Sequence, residues 1–232
     1  MKNICGNIKF IKDTVNSIRS AFVNVDIVVV TKTFPYHCVL EVLKYGITDI
    51  GENKIQEALP KFSQLGLSLN GVTRHFIGHL QSNKAKKAVE NFDLIHSLDS
   101  IKLANDIGCC AANINKVQNC LIEVKVSQES SKFGIVPENV KKFYKQCQLI
   151  QNILVKGLMV IAPVHCATDF EDSRSCFKRV RDLFEDIKES FSNPDFAILS
   201  MGMSGDYKIA VEEGSTMIRI GSAILGERNL WK

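Results

Sequence analysis

The stretch that decides the fold is DIVVVTKTFP, residues 26–35. Ile27 to Val30 are four β-branched residues in a row, which favour extended backbone. A strand covered on one face alternates apolar and polar side chains. An unbroken apolar run reads instead as a strand buried on both faces, as in a parallel sheet under helices. Upstream, Ile4, Ile8, Ile11, Val15, Ile18 and Phe22 recur at spacings of three and four, which predicts a helix over 4–22. Downstream, helices are expected at 36–45, 53–65, 82–91, 99–113, 137–148, 169–190 and 205–213. Strands are expected at 47–50, 73–77, 93–97, 119–126, 153–161, 196–200 and 217–220, with a helix or turn after the last.

Eight strands then alternate with helices behind one extra N-terminal helix. Such alternation implies right-handed crossovers and a parallel sheet. Eight units in 232 residues favour an α/β fold with one domain over 1–232, a single (β/α)8 barrel of the TIM type. An open doubly wound sheet is the alternative. Against it, no G-x-G-x-x-G follows the first strand, and no G-x-x-x-x-G-K-[ST] occurs. The five prolines are expected in loops or at element starts.

Composition narrows the function classes. The chain is 45% hydrophobic and 23% charged, as in an ordinary globular protein. A chain of this length buries roughly 70% of its unfolded surface and needs no staples. The net charge of +4 is carried by dispersed lysines, so nucleic acid is not an expected partner. The eight cysteines form no C-x-x-C and no zinc spacing, and Cys109 adjoins Cys110. They imply a reducing compartment, the cytoplasm or an organelle matrix. The N-terminus lacks a continuous apolar segment of the secretory type. No apolar run approaches ~20 residues, so no membrane span is expected.

In such a barrel, chemistry sits at the C-terminal ends of the strands. The expected ends carry Thr31-Lys32, Gly51-Glu52-Asn53, Gly78-His79-Leu80-Gln81, His96-Ser97, Lys125-Val126-Ser127, Met159, the run Ser200 to Gly205, and Arg219-Ile220-Gly221-Ser222. Lys32 follows an aliphatic strand. It is either a lysine that snorkels out of the strand end or an amine activated by desolvation toward an aldehyde. Ser204 and Gly221-Ser222 follow the last two strands, where this fold commonly holds phosphate on backbone N–H groups. Ser204 reads equally as the N-cap of the helix behind it, and Gly221 as a turn glycine. A lysine amine together with a phosphate cradle suits pyridoxal 5′-phosphate (PLP) held as a Schiff base on Lys32. Arg219 is either an ion-pair partner at the barrel end or a donor to the pyridine nitrogen. An arginine in that second role keeps its own proton, leaves the ring unprotonated and makes it a weaker electron sink. His75, His79 and His96 form no helical H-x-x-x-H signature, so no metal is expected. His37 and His165 read as loop residues, and Trp231 as packing on the barrel.

Several motifs together carry a family resemblance. They are VVVTKTFP (28–35), DIGENKIQEALPK (49–61), HFIGHLQSNKAK (75–86), ESSKFGI (129–135), GLMVIAP (157–163) and the run from Leu199 to Arg228. Over about residues 26–228 the chain resembles the YggS/PROSC family of pyridoxal phosphate homeostasis proteins. The resemblance implies that Lys32 is the PLP lysine, that Ser204, Gly221 and Ser222 bind phosphate, and that Met203 is among the cofactor-binding residues. It also implies Arg219 beside the pyridine nitrogen and Asn53 lining the cofactor. The family is similar to the N-terminal barrel of alanine racemase. The chain ends soon after the eighth strand, so the racemase's second domain, with its second acid/base, is expected to be absent. The implied function is intracellular balance of PLP and other B6 vitamers without robust catalysis. PLP-dependent apo-enzymes are the implied recipients and a monomer the implied state. A small PLP-dependent amino-acid racemase and a cofactor-free phosphate-binding barrel are the other readings. Lys125 stands where many members carry Asn, Gly205 replaces a commoner Ala, and IAPVHCATD (161–169) is less typical.

Overall fold

Eight short strands pair in chain order and close on themselves. The structure, a computed structural model, describes residues 3–19, 24–126, 133–162 and 170–227. The strands are β1 (Asp26–Val30), β2 (Asp49–Glu52), β3 (Thr73–Phe76), β4 (Leu94–Leu98), β5 (Gln118–Val124), β6 (Ile153–Val160), β7 (Ile198–Ser200) and β8 (Met217–Ile220). All neighbours are parallel, and β8 returns to β1 through Val28 opposite Arg219 and Val29 opposite Ile220. Helix α1 (Ile4–Ile18) precedes the barrel. Helices α2 (Tyr36–Lys44), α3 (Ile55–Leu65), α4 (Ala85–Asn91), α5 (Ile101–Ala112), α6 (Pro137–Cys147), α7 (Phe170–Phe191) and α8 (Tyr207–Glu212) link the strands, and a single turn, α9 (Ser222–Leu225), follows β8. The expected (β/α)8 barrel with an extra N-terminal helix is the observed architecture. Trp231, His165, Phe22 and Ser127 lie outside the described residues.

The interior follows from the two-residue period of a strand. Val28, Leu94, Leu121, Met159 and Met217 form one buried cluster. Registered neighbours share a face. Arg219 pairs with Val28, His75 with Leu94, and Ser200 and Glu123 with Met159. These polar residues therefore belong to the inward set, and so does Lys32, two steps beyond Val30. The opposite parity packs against the helices in a larger cluster that includes Ile50, Phe76, Ile95, Ile122 and Leu158. α1 buries Ile4, Ile8, Ile11 and Val15 against a third cluster with Val42, Val211, Ile224 and Leu225. Each such aliphatic side chain contributes about 2 kcal/mol of transfer free energy. Asn7 Nδ2 also donates to the Ile224 carbonyl at 3.0 Å, so α1 fastens the turn that follows β8.

The structure corrects several expectations. β2 occupies 49–52 rather than 47–50, because pairing with Thr73–Phe76 selects the register while Ile47 packs into the α1 cluster. α1 ends at Ile18, where Arg19 turns to extended backbone (ψ 148°). Residues 82–84 form a 3-10 turn ahead of α4. Pro60 sits inside α3 rather than at an element start. It lies on the exposed face, as does Gln56, whose carbonyl loses its helical donor and can be hydrated there. His37 is in α2, not in a loop.

Candidate functional site

The chain just before Lys32 is held from two sides. Thr31 N–H donates to the Gly51 carbonyl at 2.9 Å, continuing the sheet. The Thr31 carbonyl accepts from Phe34 N–H at 3.1 Å and from Lys61 Nζ at 2.7 Å. Lys61 also pairs with Glu52 at 2.5 Å, and Glu52 accepts the Thr31 hydroxyl at 2.7 Å. Thr31, Glu52 and Lys61 are all buried. Thr33 has φ +67°, a left-handed conformation that is costly for a β-branched residue. The surrounding bonds enforce this sharp exit from β1, and Lys32 stands half-buried at the corner.

Lys32 and Asn53 share a cavity of about 270 Å3 with Ile77, His79, Glu123 and Phe133 among its walls. Asn53 Oδ1 is buried without a hydrogen-bond partner among the described residues. A Cβ on Gly78 would fall on the Asn53 carbonyl, so only glycine permits this close approach of β2 and β3 ends. His79 stacks on Phe133 with centroids 3.4 Å apart and places Nδ1 3.5 Å from Asp99 Oδ2. Burial, with Asp99 nearby, pushes the Glu123 carboxyl up to about 7, against the pull of Arg219.

Arg219, on β8, is buried to 4% exposure. Nη1 donates to the Ser200 carbonyl at 2.9 Å and hydroxyl at 2.7 Å, and Nη2 to the Val160 carbonyl at 2.8 Å. Desolvation lowers its pKa to about 10 despite Asp206 and Glu123. The guanidinium is still protonated at neutral pH.

Ser204 does not cap α8. That N-cap is Asp206, whose side chain makes no cap bond into α8 and accepts from Met203 N–H instead. The Ser204 hydroxyl accepts from the N–H groups of Gly221 and Ala223, both at 3.2 Å, at the start of α9. Gly221 has φ −113°, outside the left-handed region. Gly202, at φ +95°, does require glycine, because a Cβ there would lie 2.6 Å from Ala210 Cβ. Barrel closure brings Gly221 beside Val30 and so brings this loop next to Lys32. Lys32 and Asn53 thus share one cavity wall, while Met203, Ser204, Gly221 and Ser222 gather at the ends of β7 and β8, and Arg219 stands on β8 just before Gly221. Sequence reasoning passed over Lys61, whose position on the apolar stripe of α3 with Ile55, Ala58 and Phe62 was the available signal. It named Glu52, His79 and Ser200 as strand-end residues without assigning them a role, and it missed Glu123. Among the described residues no group of three or more His, Cys, Asp or Glu is placed to hold a metal.

The chain belongs to the alanine racemase N-terminal domain family, whose profile matches residues 7–229. Within it, a pyridoxal phosphate homeostasis protein of Aquifex aeolicus (strain VF5) is 41% identical over 199 residues, 85% of each chain. PipY of Synechococcus elongatus PCC7942 is 32% identical and covers 97% of this chain and 100% of its own. Its TM-score is 0.87 in the structure without PLP and 0.85 in the structure with PLP bound. The alanine racemase of Clostridium difficile 630 is 13% identical with a TM-score of 0.71 over 96% of this chain and 57% of its own, a likeness of fold alone. The Aquifex relative bears the name of the family that the motifs resemble.

Proposed function

We propose that this chain binds PLP at the C-terminal rim of the barrel, anchored covalently through the Lys32 amine, and helps keep intracellular B6 vitamers in balance. The residues present fit the group. The N–H groups of Gly221 and Ala223 converge on one oxygen, the Ser204 hydroxyl, as they would on a phosphate oxygen. The orphaned Asn53 Oδ1 awaits a donor in the cavity that Lys32 lines. The cations of Lys32 and Arg219 suit an anionic ligand. Ser204, Gly221, Ser222 and the backbone at Met203 would hold the phosphate, Asn53 would face the ring, and Arg219 would stand by the ring nitrogen. When bound, PLP supplies an aldehyde for amines and a conjugated ring that accepts electron density.

The observation that carries the quiet-site part of this reading is Arg219. Its proton is retained at neutral pH, and Ser200 and Val160 hold the guanidinium in place through Nη1 and Nη2. It can orient a ring nitrogen but does not hand it a proton, which disfavours carbanion chemistry. The names of the relatives support a homeostasis role. Recipient PLP-dependent apo-enzymes, a monomeric state and a cytoplasmic location belong to the same proposal. The described cysteines are free thiols, in keeping with a reducing compartment, and no described helix is long and apolar enough to cross a membrane.

Borohydride reduction of protein loaded with PLP, followed by peptide mass spectrometry, tests the anchor. The adduct is expected on Lys32 and is expected to vanish in Lys32→Ala. An adduct elsewhere, or one that persists in Lys32→Ala, overturns it. Glu123 favours one second reading, a small racemase-like enzyme, because a carboxyl titrating near neutrality in the cavity wall can serve as a base. Exchange of the α-hydrogen of amino acids in deuterated water, lost in both Lys32→Ala and Glu123→Gln, would establish that reading instead.

A further inference from the structure

A line of hydrogen bonds runs through the barrel from one end to the other. At the N-terminal end, Asp49 of β2 lines a second cavity of about 240 Å3 together with Lys12, Asp26 and Thr48. His75 Nε2 lies 2.9 Å from Asp49 Oδ1. His75 Nδ1 lies 2.9 Å from His96 Nε2. His96 Nδ1 lies 3.3 Å from the Ser200 hydroxyl, which is 2.7 Å from Arg219 Nη1. Five strands contribute one residue each. His75, His96 and Ser200 are at most 1% exposed.

Between neutral imidazoles, the two ends set the direction of every bond. Arg219 has only donors, so the Ser200 hydroxyl accepts from it. That hydroxyl is then free to turn its own proton toward His96 Nδ1. His96 is neutral, since burial above all, with the Arg219 charge, depresses its pKa well below the ordinary range. Its single proton therefore sits on Nε2 and points at His75 Nδ1. If His75 is neutral as well, its proton sits on Nε2 and is donated to Asp49. The far end is an ionised carboxylate: bonds from His75 and Thr48 lower the Asp49 pKa even though burial opposes them. With both imidazoles neutral, an obligate donor at one end and an obligate acceptor at the other leave one consistent proton order.

We propose that Asp49, His75, His96 and Ser200 are positioning residues, a one-way chain along the barrel axis that orients the Arg219 guanidinium from the opposite end of the barrel. The consequence for bound PLP rests on the reading above that Arg219 stands beside its ring nitrogen. Losing the acceptor at Asp49 removes the reason for the order. Both imidazoles can then reverse, His96 pointing its proton at Ser200, whose hydroxyl must release its present partner and rebalance its contact with Arg219. Removing the Ser200 hydroxyl cuts the chain beside Arg219 while the His75–Asp49 bond survives.

The first test needs no cofactor. Proton–nitrogen correlation spectra of the PLP-free protein at neutral pH are expected to show His75 and His96 as neutral Nε2–H tautomers. Asp49→Asn, which keeps an acceptor oxygen, is expected to retain that pattern, and Asp49→Ala to lose it. A wild-type imidazolium or Nδ1–H tautomer at either ring overturns the chain, and so does an unchanged pattern in Asp49→Ala. The second test compares visible absorbance of protein loaded to equal PLP occupancy. Asp49→Ala and Ser200→Ala are expected to shift the band of bound PLP and its pH profile, and Asp49→Asn to leave both near wild type. Folded variants, judged by circular dichroism, with wild-type spectra overturn the positioning role. Wild-type protein that takes up no PLP overturns the function reading instead, and the tautomer spectra still decide the chain.

Discussion

Lys61 Nζ of α3 donates to the backbone carbonyl of Thr31 at 2.7 Å and pairs with Glu52 at 2.5 Å, so a buried cation braces the peptide immediately before Lys32. Its side chain is 8% exposed and that of Glu52 fully enclosed. The second Glu52 oxygen has no partner among the described residues, and burial raises the Glu52 pKa in spite of Lys61. The ion pair is therefore a device for geometry more than for stability.

Removing one partner leaves a buried charge. Lys61→Met is expected to destabilise the PLP-free protein by about 3 kcal/mol, measured by urea denaturation. The double variant Lys61→Met with Glu52→Gln is expected to recover most of that loss while retaining PLP less well than wild type, because the brace on Thr31 is gone.

Glu123 makes stability fall as pH rises. Its ordinary value is 4.5 and its folded value about 7. Between these the folded state binds the proton more tightly than the unfolded one. The contribution is complete below the unfolded value and is lost as pH climbs through the folded one. Glu123→Gln is expected to match wild type near pH 4.5 and to exceed it at pH 8 by about 3 kcal/mol. Denaturant titrations at the two pH values check the sign. A variant less stable than wild type at pH 8 would contradict it.

Ser204 joins the β7 loop to the start of α9 through two backbone donors. Ser204→Ala is expected to cost about 1 kcal/mol in the PLP-free protein. If these donors form the phosphate cradle, it also loses PLP faster on gel filtration, followed by absorbance of the protein peak.

Two glycines in one loop should behave oppositely. Gly202 is at φ +95°, and a Cβ there would stand 2.6 Å from Ala210 Cβ and 3.0 Å from Tyr207 Cα. Gly202→Ala is expected to cost about 2 kcal/mol or more. Gly205 is not among the positive-φ glycines, and a Cβ there meets nothing within 4 Å. Gly205→Ala is expected to be neutral or to stabilise by under about 1 kcal/mol, through the lower entropy of the unfolded chain. Melting temperatures of the pair check both.

By itself, the sequence determined the alternation of buried strands and amphipathic helices, and with it the parallel barrel. Runs such as Ile27–Val30 and the stripe Ile4, Ile8, Ile11, Val15 encode local periodicity, which needs no partner to be read. It also marked Lys32, Asn53, Ser204 and Arg219, because polar residues at the ends of aliphatic strands break that periodicity. Only the tertiary structure decided which of them meet. Closure of β8 on β1 put Gly221 beside Val30, although the two are far apart along the chain. Strand register turned Glu123, His75, His96 and Ser200 inward. Register also moved β2 two residues along, and the start of α9, not of α8, took the Ser204 hydroxyl. Such pairings depend on hydrogen bonds and packing between distant segments, which no local pattern of residues records.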